Sequence, residues 1–166
     1  IIALDLAEND QLIGVDITDG SRDIILFTTA GKAVRFNEEN VRSMGRVSRG
    51  VRGIKVPKGH QVVSLIIAAE GYVLTATENG YGKRTPIADY PVHGRGGQGV
   101  ISIQTSERNG NVVGALLVGE EDEMMLITNG GTLVRTHTDE VSVMSRNTQG
   151  VTLINLTNGE KLVGVE

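Results

Sequence analysis

The chain contains no cysteine and no tryptophan, only 3 prolines, and aromatic residues at just 3% of its 166 positions. The absence of cysteine excludes disulfides and thiolate metal sites and agrees with a reducing compartment. With so few aromatics the core must be aliphatic, and Tyr72, Tyr81 and Tyr90 are too few to form a stacking platform for single-stranded nucleic acid. No apolar run approaches the roughly 20 residues of a membrane span, and no charged-then-apolar leader opens the chain. No segment carries a convincing helical pattern. Positive charge is not in excess either: the formal net charge is −4.

That charge is unevenly distributed. Between Lys32 and Lys58 stand eight Lys and Arg (Lys32, Arg35, Arg42, Arg46, Arg49, Arg52, Lys55 and Lys58) against Glu38 and Glu39, a balance of +6 that leaves −10 for the other residues. A segregated field of this kind can bind a polyanion on one face while the molecule stays acidic overall.

Glycine is abundant, with 22 copies among many β-branched residues, which predicts numerous tight turns. Gly94, Gly96 and Gly99 match G-x-G-x-x-G, the dinucleotide-binding fingerprint. That motif works only between a strand and a helix whose N-terminus faces the pyrophosphate. Here Val100-Ile101-Ser102-Ile103 follows, an alternating stretch that reads as strand, and no Lys-Ser/Thr pair completes a Walker loop.

Internal repetition explains the glycines better. The markers LIGV (12–15), VVSL (62–65), VVGA (112–115) and LVGV (162–165) recur every 50 residues. T-x-x-G starts at Thr28, Thr77 and Thr128, and R-x-x-x-G-V at Arg46, Arg95 and Arg146. A period of this size marks a propeller or another stacked array. Within each unit DIILFT, YVLTAT and EMMLIT read as first strands, and KAVRF, GKRTPI and TLVRTH as second strands. A polar link follows, then the R-x-x-x-G element and two more strands. Asp19-Gly20, Asn79-Gly80, Asn109-Gly110, Asn129-Gly130 and Asn158-Gly159 supply turn chemistry. The expectation is an all-β, propeller-like array of four-stranded Greek-key blades, about 50 residues each. With four copies of the last marker and three of the others, it is expected to be an incomplete ring, all of 1–166 forming part of one domain.

Across essentially the whole chain, the phrases LIGVDITDG, VRGIKV, TENGYGKRTPIADYP, GVISI, GTLVRT and NTQGV resemble the C-terminal domain of the DNA gyrase A subunit. The corresponding domain of topoisomerase IV fits them less well. The resemblance implies a β-pinwheel that wraps duplex DNA on a basic rim. It also implies a parent type IIA topoisomerase, cytoplasmic and nucleoid-associated in bacteria, that couples ATP to negative supercoiling. Its partners would be the gyrase B subunit, together with the N-terminal region of the gyrase A protein. ATP and Mg would be used on other domains, with no cofactor, metal or catalytic residue here. The family's Gln-Arg-Arg-Gly-Gly-Lys-Gly box has no intact copy; its nearest counterpart is His93-Gly94-Arg95-Gly96-Gly97-Gln98-Gly99. The chain therefore resembles the later blades, with weaker wrapping expected.

The DNA-binding residues expected are Lys32, Arg35, Arg42, Arg46, Arg49, Arg52, Lys55, Lys83, Arg84, Arg95, Arg135 and Arg146. For Arg46, Arg95 and Arg146 the competing expectation is a structural arginine pinning its loop to carbonyls. For Arg35, Lys83, Arg84 and Arg135 it is a solvated strand face or protection of a sheet edge. His60, His93 and His137 lack metal-site spacing, and Glu120-Glu121-Asp122-Glu123 reads as a solvated turn. A protein-interaction propeller without DNA contact is the alternative function. A propeller hydrolase or lectin would need a set of acids, histidines or aromatics around a channel, and none is evident.

Overall fold

The computed structural model describes all residues, 1–166. Eleven strands form three antiparallel sheets. The first holds β1 (Asp23–Thr28), β2 (Lys32–Asn37), β3 (Val62–Ile67) and β6 (Val100–Ile101), in the order β3-β1-β2-β6. The second holds β4 (Tyr72–Thr77), β5 (Tyr81–Pro86), β7 (Val112–Val118) and β10 (Val151–Thr152), in the order β10-β5-β4-β7. The third holds β8 (Glu123–Thr128), β9 (Leu133–His137) and β11 (Leu162–Val165), in the order β11-β8-β9. The expected first and second strands are therefore present, joined by the T-x-x-G turns. Each second strand runs into a three-residue 3-10 turn: Glu38–Asn40, Ile87–Asp89 and Thr138–Glu140.

Two expectations need correction. A blade does not draw all four strands from its own 50 residues: the fourth strand of each complete sheet comes from the next repeat. Val100 pairs with Ala33 and Ile101 with Lys32; Val151 pairs with Gly82 and Thr152 with Tyr81. The chain thus hands its R-x-x-x-G-V element back to the preceding sheet. The marker at 12–15 forms no strand, whereas those at 62–65, 112–115 and 162–165 lie in β3, β7 and β11.

The glycines make this exchange possible. Gly99 and Gly150 sit at φ of +77° and +77°, where a side chain is strained. A Cβ on Gly150 would lie 2.5 Å from Gly82 O, and one on Gly99 would overlap Ala33 O in the same way. Gly80, of the T-x-x-G turn, has φ +86° and would put a Cβ 2.6 Å from Ile154 O. Only hydrogen allows the neighbouring repeat's backbone so close.

The core is aliphatic, as the composition demands. Ile25, Phe27, Ala33, Ile66, Val73 and Ala115 pack where the first two sheets meet, with Tyr90 edge-to-face on Phe27 at 5.9 Å. Leu74, Ala76, Met124, Leu126, Val141 and Leu162 fill the junction between the second and third. The Met124–Met125 pair thus splits, with Met124 buried and Met125 half-buried.

The exchanged strand sets a sharp difference between two glycines of one loop. Gly97 has open space around its Cβ position and no positive φ. Gly99→Ala is expected to cost about 2 kcal/mol or more in chemical denaturation, and Gly97→Ala less than about 0.5 kcal/mol. Equal losses at the two positions would contradict the exchange geometry.

Candidate nucleic-acid interface

The cations divide into two groups according to what their side chains touch. One group crosses between repeats. Arg35, on β2, bonds Asp23 Oδ2 through Nε (2.9 Å) and the carbonyls of Ile87 (3.1 Å) and Tyr90 (3.2 Å) through Nη1. Arg84, one repeat later on β5, bonds Val141 O through Nε (2.8 Å), packs its guanidinium 4.9 Å from the Tyr72 ring, and is 7% exposed. Both arginines grip the residues just past the next repeat's second strand. Arg135, the third member, lies on the open edge strand β9, exposed and paired with Glu123.

Arg95 and Arg146 grip in the opposite direction. Arg95 donates to Asn40 O (2.8 Å) and Arg52 O (3.1 Å), and Arg146 to Asp89 O (2.6 Å) and Ile101 O (2.8 Å). The structural role weighed for this position is thus realised in both. Each uses Nε and Nη1 and keeps Nη2 unengaged. Charge-assisted bonds of this kind contribute about 1.5–3 kcal/mol each when desolvated, and less here, where the groups are half-buried.

Lys83 and Arg84 are corrections to the expected DNA-binding set. Lys83 is 0% exposed. Its ammonium donates to Ser145 O (2.7 Å), Arg146 O and Thr148 Oγ1 (2.9 Å), pinning the 145–148 loop from beneath. Burial first, then the nearby Arg146 charge, pushes its pKa down to about 8. Both side chains serve packing between repeats and cannot meet a phosphate. Arg35, with its side chain 18% exposed, is held in the same way.

The second group is free. Arg42, Arg46, Arg52, Lys55 and Lys58 are exposed, and their side chains make no hydrogen bond or salt bridge. Arg49 is exposed but paired with Asp5 at 2.7 Å. Lys32 is half-buried on β2. Against this segment lies the glycine loop 93–99: Gly96 approaches Arg52, and Lys55 N donates to Gly97 O (2.8 Å). His93, Gly94, Gly97 and Gln98 of that loop are exposed, and nothing packs where a Cβ on Gly94 or Gly97 would stand. Bare backbone thus lies beside unpaired guanidinium and ammonium groups, an arrangement suited to phosphate oxygens.

Three of the four acids of the 120–123 turn, and His60, are engaged locally. Glu120 accepts from Tyr72 OH (3.2 Å), Asp122 caps Gly119 N (2.7 Å), and Glu123 holds Arg135 with His137 at 3.6 Å. His60 Nδ1 lies 2.9 Å from Thr29 Oγ1. No cluster of three or more His, Asp or Glu side chains comes together as a metal site, and no helix is long and apolar enough to cross a membrane. Arg108, outside the expected set, lies 4.1 Å from the Tyr81 ring centroid and donates to Gln149 O (3.3 Å) and Gly150 O (3.0 Å). At the 50-residue marker spacing its counterparts are Lys58 and Asn158, so no recurring arginine marks the position.

The family model described as the DNA gyrase C-terminal domain, a beta-propeller, matches residues 22–69, 71–118 and 122–166, one segment per repeat. The chain belongs to this family. It is 55% identical over its whole length to the DNA gyrase A subunit of Pseudomonas aeruginosa and 52% identical over 99% of its length to that of Escherichia coli. It spans about a fifth of the length of these curated relatives, 18% and 19%. A solved structure of a DNA gyrase A C-terminal domain superposes with a TM-score of 0.90 at 30% identity, covering 99% of this chain and 57% of that one. A topoisomerase IV C-terminal domain shares the fold at a TM-score of 0.93 and 21% identity, over 99% of this chain and 52% of its own.

The buried ammonium makes stability depend on pH in a defined direction. Between pH of about 8 and the ordinary lysine value of 10.5, the unfolded chain keeps a proton that folded Lys83 has lost. Lys83 therefore adds to unfolding free energy as pH rises through that window. Lys83→Met abolishes this contribution, so the stability of the variant relative to the parent should fall as urea melts move from pH 7.5 to about 10. A difference that stays flat across the window would contradict the burial of the charge.

Proposed function

We propose that this chain binds and wraps duplex DNA as a module of a DNA gyrase, reading charge and shape rather than sequence. The observation that carries this reading is the run of five exposed, unpaired cations from Arg42 to Lys58 beside the glycine loop 93–99. An isolated protein of net charge −4 gains nothing in folding from massing unpaired like charges, which repel one another. A phosphate backbone running along that face relieves the repulsion and releases counterions. In this reading Arg42, Arg46, Arg52 and Lys55 are the principal phosphate contacts. Lys32, Arg135 and the free Nη2 edges of Arg95 and Arg146 extend the path. Membership of the gyrase family supports the same reading, with the parent protein joining its B partner in ATP-dependent supercoiling on other domains. In this reading ATP turnover and strand passage belong to other domains, and neither ATP hydrolysis nor DNA relaxation is expected of this chain alone.

Mobility-shift titrations on random-sequence duplexes of increasing length test this. With five free cations, the slope of log K against log[salt] should reach about −3 to −5, alike for every sequence. A salt-insensitive affinity, or recovery of a protein partner with no duplex binding, would favour the protein-docking alternative.

A further inference from the structure

One register position recurs at each contact between a repeat and the R-x-x-x-G loop of the next. Asp5 N donates to Ser48 O (3.2 Å), Lys55 N to Gly97 O (2.8 Å), and Gln104 N to Thr148 O (2.9 Å). Donors and acceptors both advance by one repeat, so these three residues are equivalent. Asp5 and Gln104 also reach that loop with their side chains, whereas the Lys55 side chain is exposed and unbonded, and the three differ in charge.

The consequences are visible in the loops. Asp5 reaches Arg49 Nε at 2.7 Å, with side chains 43% and 72% exposed, and cancels one of the two charges of loop 44–50. The segment that delivers Asp5 is itself acidic: residues 1–20 hold Asp5, Glu8, Asp10, Asp16 and Asp19 and no Lys or Arg. Gln104 donates Nε2 to Asn147 Oδ1 (2.9 Å), a neutral contact that leaves loop 144–150 with Arg146 alone. Lys55 makes no side-chain bond and adds its own charge to loop 93–99, which carries Arg95 and the unencumbered Gly94 and Gly97. Counting only these side chains, loop 44–50 carries +1, loop 93–99 carries +2 and loop 144–150 carries +1.

We propose that the side chain at positions 5, 55 and 104 sets the phosphate affinity of the rim loop it is bonded to, with Asp5 damping Arg49 and Lys55 reinforcing loop 93–99. This rests on the duplex-binding reading. It changes the ranking that charge counts along the sequence give. The segment richest in arginine is partly silenced, and the glycine loop becomes the strongest contact per loop.

The test is a set of salt titrations of the 166-residue chain and its variants on a random-sequence duplex, after circular dichroism shows that each folds. Asp5→Asn should tighten binding by roughly two- to fivefold at low salt and steepen the salt slope by up to about 0.9. Arg49→Ala placed on top should remove that gain. Lys55→Gln should loosen binding and flatten the slope by up to about 0.9. The exchange Asp5→Lys with Lys55→Asp keeps the net charge at −4, so it separates local from overall charge. It should move DNA-induced protection from hydrogen exchange out of loop 93–99 and into loop 44–50. Unchanged protection in the exchange variant, or an Asp5→Asn variant that binds no tighter, overturns the proposal while leaving duplex binding intact. Failure of the parent chain to bind duplex overturns the function on which it rests.

Discussion

The guanidinium groups of Arg35 and Arg84 each leave the second strand of one sheet and end on main-chain carbonyls of the next repeat. Around that crossing everything else is arranged. The 3-10 turns at Ile87–Asp89 and Thr138–Glu140 are held where those carbonyls converge. From there the chain can return as β6 or β10 to the sheet it has left. Arg95 and Arg146 close the same junctions from the other side. A sheet of three local strands, its hydrophobic face half-covered, becomes one of four packed against a neighbour. Repeats too small to fold independently gain a shared core.

This division of labour also shapes the surface. A guanidinium held on main-chain carbonyls has less to offer a phosphate, so Arg35 and Arg84 are removed from any external task, while Arg95 and Arg146 keep only their Nη2 edges. The exposed cations without a side-chain bond lie in the segment 42–58, whose residues make few bonds of their own. There the backbone of loop 93–99 comes close without side chains in the way. The same residue type thus performs two roles, and burial decides which.

Much of the architecture was legible in the amino-acid order. The spacing of Thr28, Thr77 and Thr128, and of Gly50, Gly99 and Gly150, fixed the period and the hairpins, because positive φ and close backbone approach recur wherever the junction recurs. The crossing of Val100–Ile101 into the preceding sheet was not legible. Alternation identifies a strand but not its partner, and the partner lies 67 to 69 residues away in sequence (Ala33 to Val100, Lys32 to Ile101). The burial of Lys83 and Arg84 was not legible for a related reason: on a strand, a cation between polar neighbours has the pattern of an exposed face, and only the packing of the next repeat over β5 buries it. The pairing of Asp5 with Arg49 was not legible because it forms only when repeats close together, and that of Arg108 with Tyr81 because the two stand 27 residues apart within one repeat.

The account stands on the partition of its arginines into those that bind the protein and those that are free. Arginine Nε–H correlation spectra, recorded with and without a random-sequence duplex, report each guanidinium separately. The partition requires the Nε signals of Arg42, Arg46 and Arg52 to shift or broaden on adding DNA while those of Arg35 and Arg84 stay in place. If Arg35 and Arg84 respond and the Arg42–Arg52 set does not, the cations have been divided wrongly and the DNA path lies elsewhere on the molecule.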